Sequence, residues 1–208
     1  MRIVGSVLLG LVLLLIAPLC WAIDPAGNVE RLQGTATATS TSDLTRTLQE
    51  GSTILVGDRV TTGTASRLRL RFNDGASITL GDNTTLTVQA YDADSSSTRG
   101  LLDIAEGVFL AVTGAIARLG PDRYVVTTPT ATLGIRGTEV WASQLPGRFA
   151  VTMLSGTGVI VTAPQGTVEL TAPLSGIDLV EGEPLPQPRV WKPERVERAR
   201  QEVAFEGE

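Results

Sequence analysis

Arg67-Leu68-Arg69-Leu70-Arg71-Phe72 alternates strictly between cationic and apolar side chains, and Asn73-Asp74-Gly75 follows at once. Successive side chains of a strand point to opposite faces, so Leu68, Leu70 and Phe72 share one face and the three arginines share the other. Asp74-Gly75 is turn chemistry, with Gly75 supplying positive φ at little cost. Ala76-Ser77-Ile78-Thr79-Leu80 then returns, Gly81-Asp82-Asn83 turns again, and Leu86-Thr87-Val88 continues. The spacing predicts a β-meander, which commits the middle of the chain to a sheet.

The same grammar extends in both directions. Residues 48–63, LQEGSTILVGDRVTTG, break short apolar runs with Gly51-Ser52 and Gly57-Asp58, a hairpin signal. Residues 101–112, LLDIAEGVFLAV, hold Gly107 between two apolar runs. Leu101, Ile104, Ala105 and Val108 keep helical spacing there, but the second half is strand-like, and a strand pair is expected. Beyond residue 148 three more short strands follow, with turns every 8 to 10 residues or so. Residues 29–34 alternate and can form a strand. The low-complexity run 35–40, TATATS, has little to bury and is expected to vary in conformation.

The stretch 124–140, YVVTTPTATLGIRGTEV, is the most distinctive in the chain. A β-branched run is broken by Pro129, a strand-like run reaches Leu133, and Gly134-Ile135-Arg136-Gly137-Thr138 reads as a tight turn. Two glycines flanking an arginine imply positive-φ backbone or a close approach that a Cβ would block. Thr128-Pro129-Thr130-Ala131 with Gly134-Ile135-Arg136-Gly137-Thr138 resembles the signature of the FecR domain family. Gly57-Asp58-Arg59-Val60 upstream and Leu70-Arg71-Phe72 with Asp74-Gly75 resemble the family's opening strands, and residues 151–161 fit its later strand pair. The resemblance covers roughly 55–140 and implies an all-β envelope domain. Arg136 is expected to reach across the turn to a carboxylate or to backbone carbonyls with its planar fork. The alternative is that it presents its guanidinium to a partner.

Composition narrows the chemistry. Among 208 residues there is no histidine, which removes the commonest general base and most zinc sites. A formal charge of −5 argues against nucleic acid, which wants a basic footprint. No Gly-Lys-Thr ending follows the glycine-rich turns, and no base stands ready to activate a serine or threonine. The expectation is therefore no enzyme, no cofactor and no metal. The one cysteine, Cys20, lies in the first hydrophobic stretch. Asp92, Asp94, Ser96 and Asp103 match a calcium-loop spacing, but Ser97 stands where glycine is needed, and a solvated hairpin loop is the better reading. Arg67, Arg69 and Arg71 form either an anion-binding stripe or the solvated outer face of a half-exposed sheet, and the second is favoured.

The ends differ from the middle. Arg2, an apolar run to Leu19 and the small-residue pattern Cys20-Trp21-Ala22 describe a secretory signal peptide over 1–22, with an uncleaved anchor as the alternative. Leu19 is too large for the residue that a lipobox needs before Cys20. The β domain is expected over 23–180, a Pro-rich linker over 181–193, and a short amphipathic helix over 194–208 that docks, grips a partner or frays. The expected fold is all-β, elongated and sandwich-like or solenoid-like, made of many short strands. FecR proteins of the iron-uptake type join a cytoplasmic anti-sigma segment and a membrane span to this domain, and end in a transporter-binding subdomain. Only Met1 and Arg2 precede the hydrophobic stretch here, and no such subdomain is read after Leu170. The expected role is therefore a periplasmic or secreted module that binds an envelope protein. A structural or cell-wall glycan-binding component is the alternative, with Tyr91, Tyr124, Trp141 and Trp191 as candidates for sugar stacking. The membrane is a partner only if the N-terminal segment is uncleaved.

Overall fold

A computed structural model describes residues 25–93 and 98–207. The expected signal peptide, and Asp94, Ser96 and Ser97 of the calcium-like spacing, lie outside the described residues. In chain order the strands are β1 (Pro25–Gln33), β2 (Ala36–Thr39), β3 (Thr45–Thr47), β4 (Thr53–Leu55), β5 (Arg59–Thr62), β6 (Arg67–Phe72), β7 (Ser77–Leu80) and β8 (Thr85–Asp92). They continue with β9 (Arg99–Val112), β10 (Tyr124–Thr127), β11 (Thr132–Leu145), β12 (Arg148–Ala163), β13 (Gly166–Leu170), β14 (Ser175–Val180) and β15 (Arg189–Val190). A 3₁₀ turn, Ile116–Leu119, and one helix, α1 (Pro193–Gln201), complete the described chain. The all-β expectation holds.

Three strands are long, of 14, 14 and 16 residues, where short ones were expected. Each changes partners midway, and this divides one continuous sheet into two walls. The first wall runs β4, β1, β6, β7, the second half of β9, the second half of β11, the first half of β12, β14 and β15. The second runs β3, β2, β5, β8, the first half of β9, β10, the first half of β11, the second half of β12 and β13. The β9–β10 pairing is parallel. The walls enclose one apolar core. Phe72 of the first stacks on Tyr91 of the second with ring centroids 4.1 Å apart, a direct contact across it.

The run 35–40 is ordered rather than variable. Ala36 and Ala38 of β2 are buried in the core while the threonines between them face outward, so small apolar residues on one face are enough to hold the strand.

Glycines mark the places where the long strands pass from wall to wall. Gly107 in β9 has φ 104°, and a Cβ there would lie 2.6 Å from the Thr84 Cα. Gly156 in β12 has φ 114°, and its Cβ would lie 2.4 Å from the Gly137 carbonyl oxygen. No side chain fits either position. A threonine serves each kink. Thr84, fully buried, accepts from the Val108 N–H through its hydroxyl at 3.0 Å. Thr138 accepts from the N–H groups of Thr157 and Gly158, both at 3.2 Å, and donates to the Arg136 carbonyl. Backbone groups that a kink takes out of the regular ladder need such partners.

The C-terminal segment returns to the sheet. β15 pairs with β14 inside what was expected to be a linker, and α1 lies across the outer face of the first wall. Pro193 opens the helix, Glu194 lies in its first turn, and Arg198 and Arg200 lie in its last, each suited to the helix dipole. Nine residues are too few to hold a helix unaided. Burial of Val196, Ala199 and Val203 against Trp141, Leu154 and Trp191 supplies what is missing. Of the three fates expected for the tail, docking is the one observed.

Candidate interaction site at the Arg136 bend

Strand β11 places the FecR-like motif. Leu133 and Ile135 point into the core, so Thr132, Gly134 and Arg136 face outward from the second wall. Gly134 to Thr138 is not the tight turn expected. It is continuous strand, paired with β12 through Gly134↔Ile160, Arg136↔Gly158 and Thr138↔Gly156. Gly137 has φ 53°, which bends the strand without reversing it. Beyond the bend the register slips between Glu139 and Val140.

The arginine does not reach across the chain. Arg136 is exposed, and its guanidinium makes no hydrogen bond or ion pair with any described residue. Its cross-strand neighbour Gly158 offers no side chain to shield it. A connecting segment runs beside it. Thr113 Oγ1 accepts from the Thr138 N–H at 2.9 Å at one end, and the Pro121 carbonyl lies against Gly134 at the other, where a Cβ would approach it to 2.6 Å. Between these anchors the 3₁₀ turn buries Ile116 and Ala117 and exposes Arg118 and Leu119, the latter 62% accessible. The outcome is an open surface carrying two arginines and a leucine, set on well-anchored backbone.

The other motif residues are architectural. Thr128 is buried; its Oγ1 accepts from the Ala131 N–H at 3.0 Å and the Thr130 N–H at 3.3 Å, closing the turn that Pro129 occupies. Asp74 joins three segments. Its Oδ1 accepts from the Tyr91 hydroxyl at 2.6 Å and the Ala76 N–H at 2.9 Å, and its Oδ2 accepts from the Ile116 N–H at 3.1 Å. Gly75 beside it has φ 84°, as the turn requires. Burial, with Tyr124 and the Asp74 carboxylate nearby, pushes the Tyr91 hydroxyl well above the ordinary tyrosine range. Tyr124, wholly buried, is pushed up as well, by burial first and by Asp74 second. Both therefore stay neutral at any physiological pH.

The arginine stripe lies on the outer face of the first wall and is engaged within the chain. Arg71 bonds Glu30 at 2.7 Å, Arg67 donates to the Ser66 carbonyl at 2.8 Å, and Arg69 donates to Thr79 Oγ1 at 3.1 Å. Arg31 and Arg69 also hold the Phe205 ring, 4.4 and 4.9 Å from its centroid. Asp103, part of the calcium-like spacing, sits inside β9 paired with Thr87 and Thr127 rather than in a loop. The four aromatics considered for sugar stacking, Tyr91, Tyr124, Trp141 and Trp191, are all buried and present no face to a glycan.

One constellation was missed by reading the sequence. Asp58, only 1% exposed, is held by both guanidinium nitrogens of Arg46 and accepts from the Leu55 N–H at 2.8 Å. Donating these hydrogen bonds to Asp58 raises the Arg46 pKa despite partial burial. The Gly57-Asp58 turn was visible in sequence; its partner twelve residues earlier carried no signal.

Comparison with known proteins agrees with this geometry. The FecR protein family model matches residues 58–157. Two crystal structures of a candidate anti-sigma factor from Parabacteroides distasonis ATCC 8503, at 2.50 and 1.65 Å resolution, each align with a TM-score of 0.54 and 17% identity. Each alignment covers 67% of this chain and 62% of the neighbour, so this chain spans less than two thirds of the neighbours' length. At that identity the likeness speaks for the fold. No curated protein matches the chain. The matched interval opens at the buried Asp58 and closes just after the Gly156 kink, so over residues 58–157 this chain is similar to FecR proteins.

Proposed function

We propose that this protein is exported to the periplasm or beyond and acts there, without catalysis, as an interaction module in envelope signal transduction. It contacts a protein partner of the envelope through the surface around Arg136. One observation carries the reading: Arg136, central to the motif, is presented outward with no intramolecular partner, while the residues around it anchor the backbone. A guanidinium left free on rigid strand is suited to bidentate pairing with a partner's carboxylate. The FecR match and the description of the structural neighbours as candidate anti-sigma factors support a regulatory role. Export rests on the hydrophobic N-terminal stretch and its small-residue pattern before residue 23. No helix among the described residues is long and apolar enough to cross a membrane.

The test is affinity capture from envelope extracts with the wild type and with Arg136→Glu. A reproducible envelope protein retained by the wild type and lost from the variant, at unchanged melting temperature, is the expected result. Equal capture by both would overturn the role of this surface. N-terminal sequencing of the exported protein checks the location; a chain still beginning at Met1 in the cytoplasm would overturn it.

A further inference from the structure

At the end of the sandwich where turns of both walls meet, a cavity of about 320 Å³ opens between the β11–β12 hairpin, the β10–β11 turn and the β12–β13 turn. Gln144 lines it and is only 3% exposed. Its amide nitrogen donates to the Leu145 carbonyl at 2.9 Å, which fixes the orientation of the amide and leaves Oε1 as a buried acceptor with no donor. Gln165, across the cavity on another turn, also holds a buried Oε1 with no donor. Two carboxylates complete the lining, Glu106 from the Gly107 kink and Glu181 from the end of β14. Neither makes an ion pair or side-chain hydrogen bond with a described residue. The Glu181 N–H is tied to the Gly147 carbonyl at 3.0 Å, so the backbone holding this carboxylate is anchored to the hairpin. Pro129 and Leu145 supply apolar wall between these oxygens.

Buried acceptors without donors are costly, and nearly all such groups in folded proteins are satisfied. Two of them beside two unpaired carboxylates call for a ligand that brings N–H donors and positive charge together. We propose that this cavity binds an organic cation, an alkylammonium group whose head donates to Gln144, Gln165 and the carboxylates while its methylene stem lies along Pro129 and Leu145. A divalent metal is a poorer match. It gathers about six or more oxygens around one point, whereas these acceptors come from four separate segments, and no group of three acidic or thiol side chains forms among the described residues. The ammonium can come from a free diamine or from a lysine of a polypeptide; the chemistry at the cavity is the same.

Isothermal titration of the full chain with 1,5-diaminopentane, with Nα-acetyl-lysine amide and with calcium chloride tests this. Saturable binding of an amine is expected, weakened about tenfold or more by Gln144→Met and by the Glu106→Gln, Glu181→Gln pair. Thermal melts of the variants show that they remain folded. Tighter binding of the diamine identifies a free amine as the ligand, and tighter binding of the lysine derivative identifies a polypeptide. The proposal is overturned if neither amine saturates, if calcium alone does, or if folded variants bind as well as the wild type.

Discussion

Asp58, Thr138 and Gly156 show how single side chains determine this fold. Asp58→Ala leaves the Leu55 N–H without its acceptor and strands Arg46; because Arg46 is 37% exposed and can rehydrate, the loss is expected near the low end for broken buried pairs, about 3 kcal/mol by urea denaturation. Thr138→Val keeps the shape but removes the hydroxyl that serves Thr157, Gly158 and Arg136, and should cost about 2 kcal/mol in the same assay. Gly156→Ala should be worse, more than about 3 kcal/mol, since it sets a Cβ against the Gly137 carbonyl at a φ that L-residues avoid. An unchanged melt for any of the three would contradict the role assigned to it. At this scale the sequence was partly legible. Asp74-Gly75 announced a turn because turn chemistry is local. The Arg46–Asp58 pair and the orphaned Gln144 did not announce themselves, because partners and burial arise only when distant segments meet.

Strands and helix obey rules that sequence shows well in type and poorly in extent. Alternation at Arg67–Phe72 identified β6 and both of its faces. In contrast, Gly134–Thr138 has the composition of a turn and lies within a strand, because a glycine at positive φ can bend a ladder as well as end one. The tail illustrates tertiary override. Its thin apolar stripe gave no destination, which depended on a row on the first wall, Arg31, Arg69, Thr79, Leu110, Trp141, Thr152 and Gly176, brought together by pairings from β1 to β14. Trp191 lies against Gly176 at one end and Phe205 against the arginines at the other. Trp191→Ala is expected to cost about 3 kcal/mol and to raise amide exchange across α1, as its ring packs on Trp141 at 5.6 Å. The tail should also respond to pH. Burial, and then Asp82, hold the Glu202 pKa above the ordinary carboxylate value against the opposing pull of Arg67 and Arg198. A pKa raised in the folded state means a contribution present in full below the unfolded value and lost as pH rises through the folded one. Protection of the α1 amides, taken relative to their intrinsic exchange rates at each pH, should therefore fall from acidic pH towards neutral, and Glu202→Gln should flatten that change; a protection profile identical in the variant would count against Glu202 as its source.

Across the whole molecule, two walls joined by bent strands enclose the core with Phe72, Tyr91 and Tyr124 inside it, and leave the motif arginine outside. The resemblance read from the sequence over roughly 55–140 overlaps the interval 58–157 that the FecR family model matches, because glycine and threonine positions in its motif are dictated by backbone geometry. The expected reach of Arg136 across the turn is not observed, since whether a guanidinium folds back or stands free depends on which groups surround it, and Gly158 opposite brings no side chain of its own. A partner-binding role for Arg136 turns on that freedom. Its most direct test is a photo-crosslinking residue placed at position 136 in living cells, with one at Leu44, 72% exposed on the β2–β3 connection, as the control. Covalent capture of one envelope protein from position 136 and not from 44 is the predicted result. Capture from neither position, or the same products from both, would contradict the assignment of this surface to a partner.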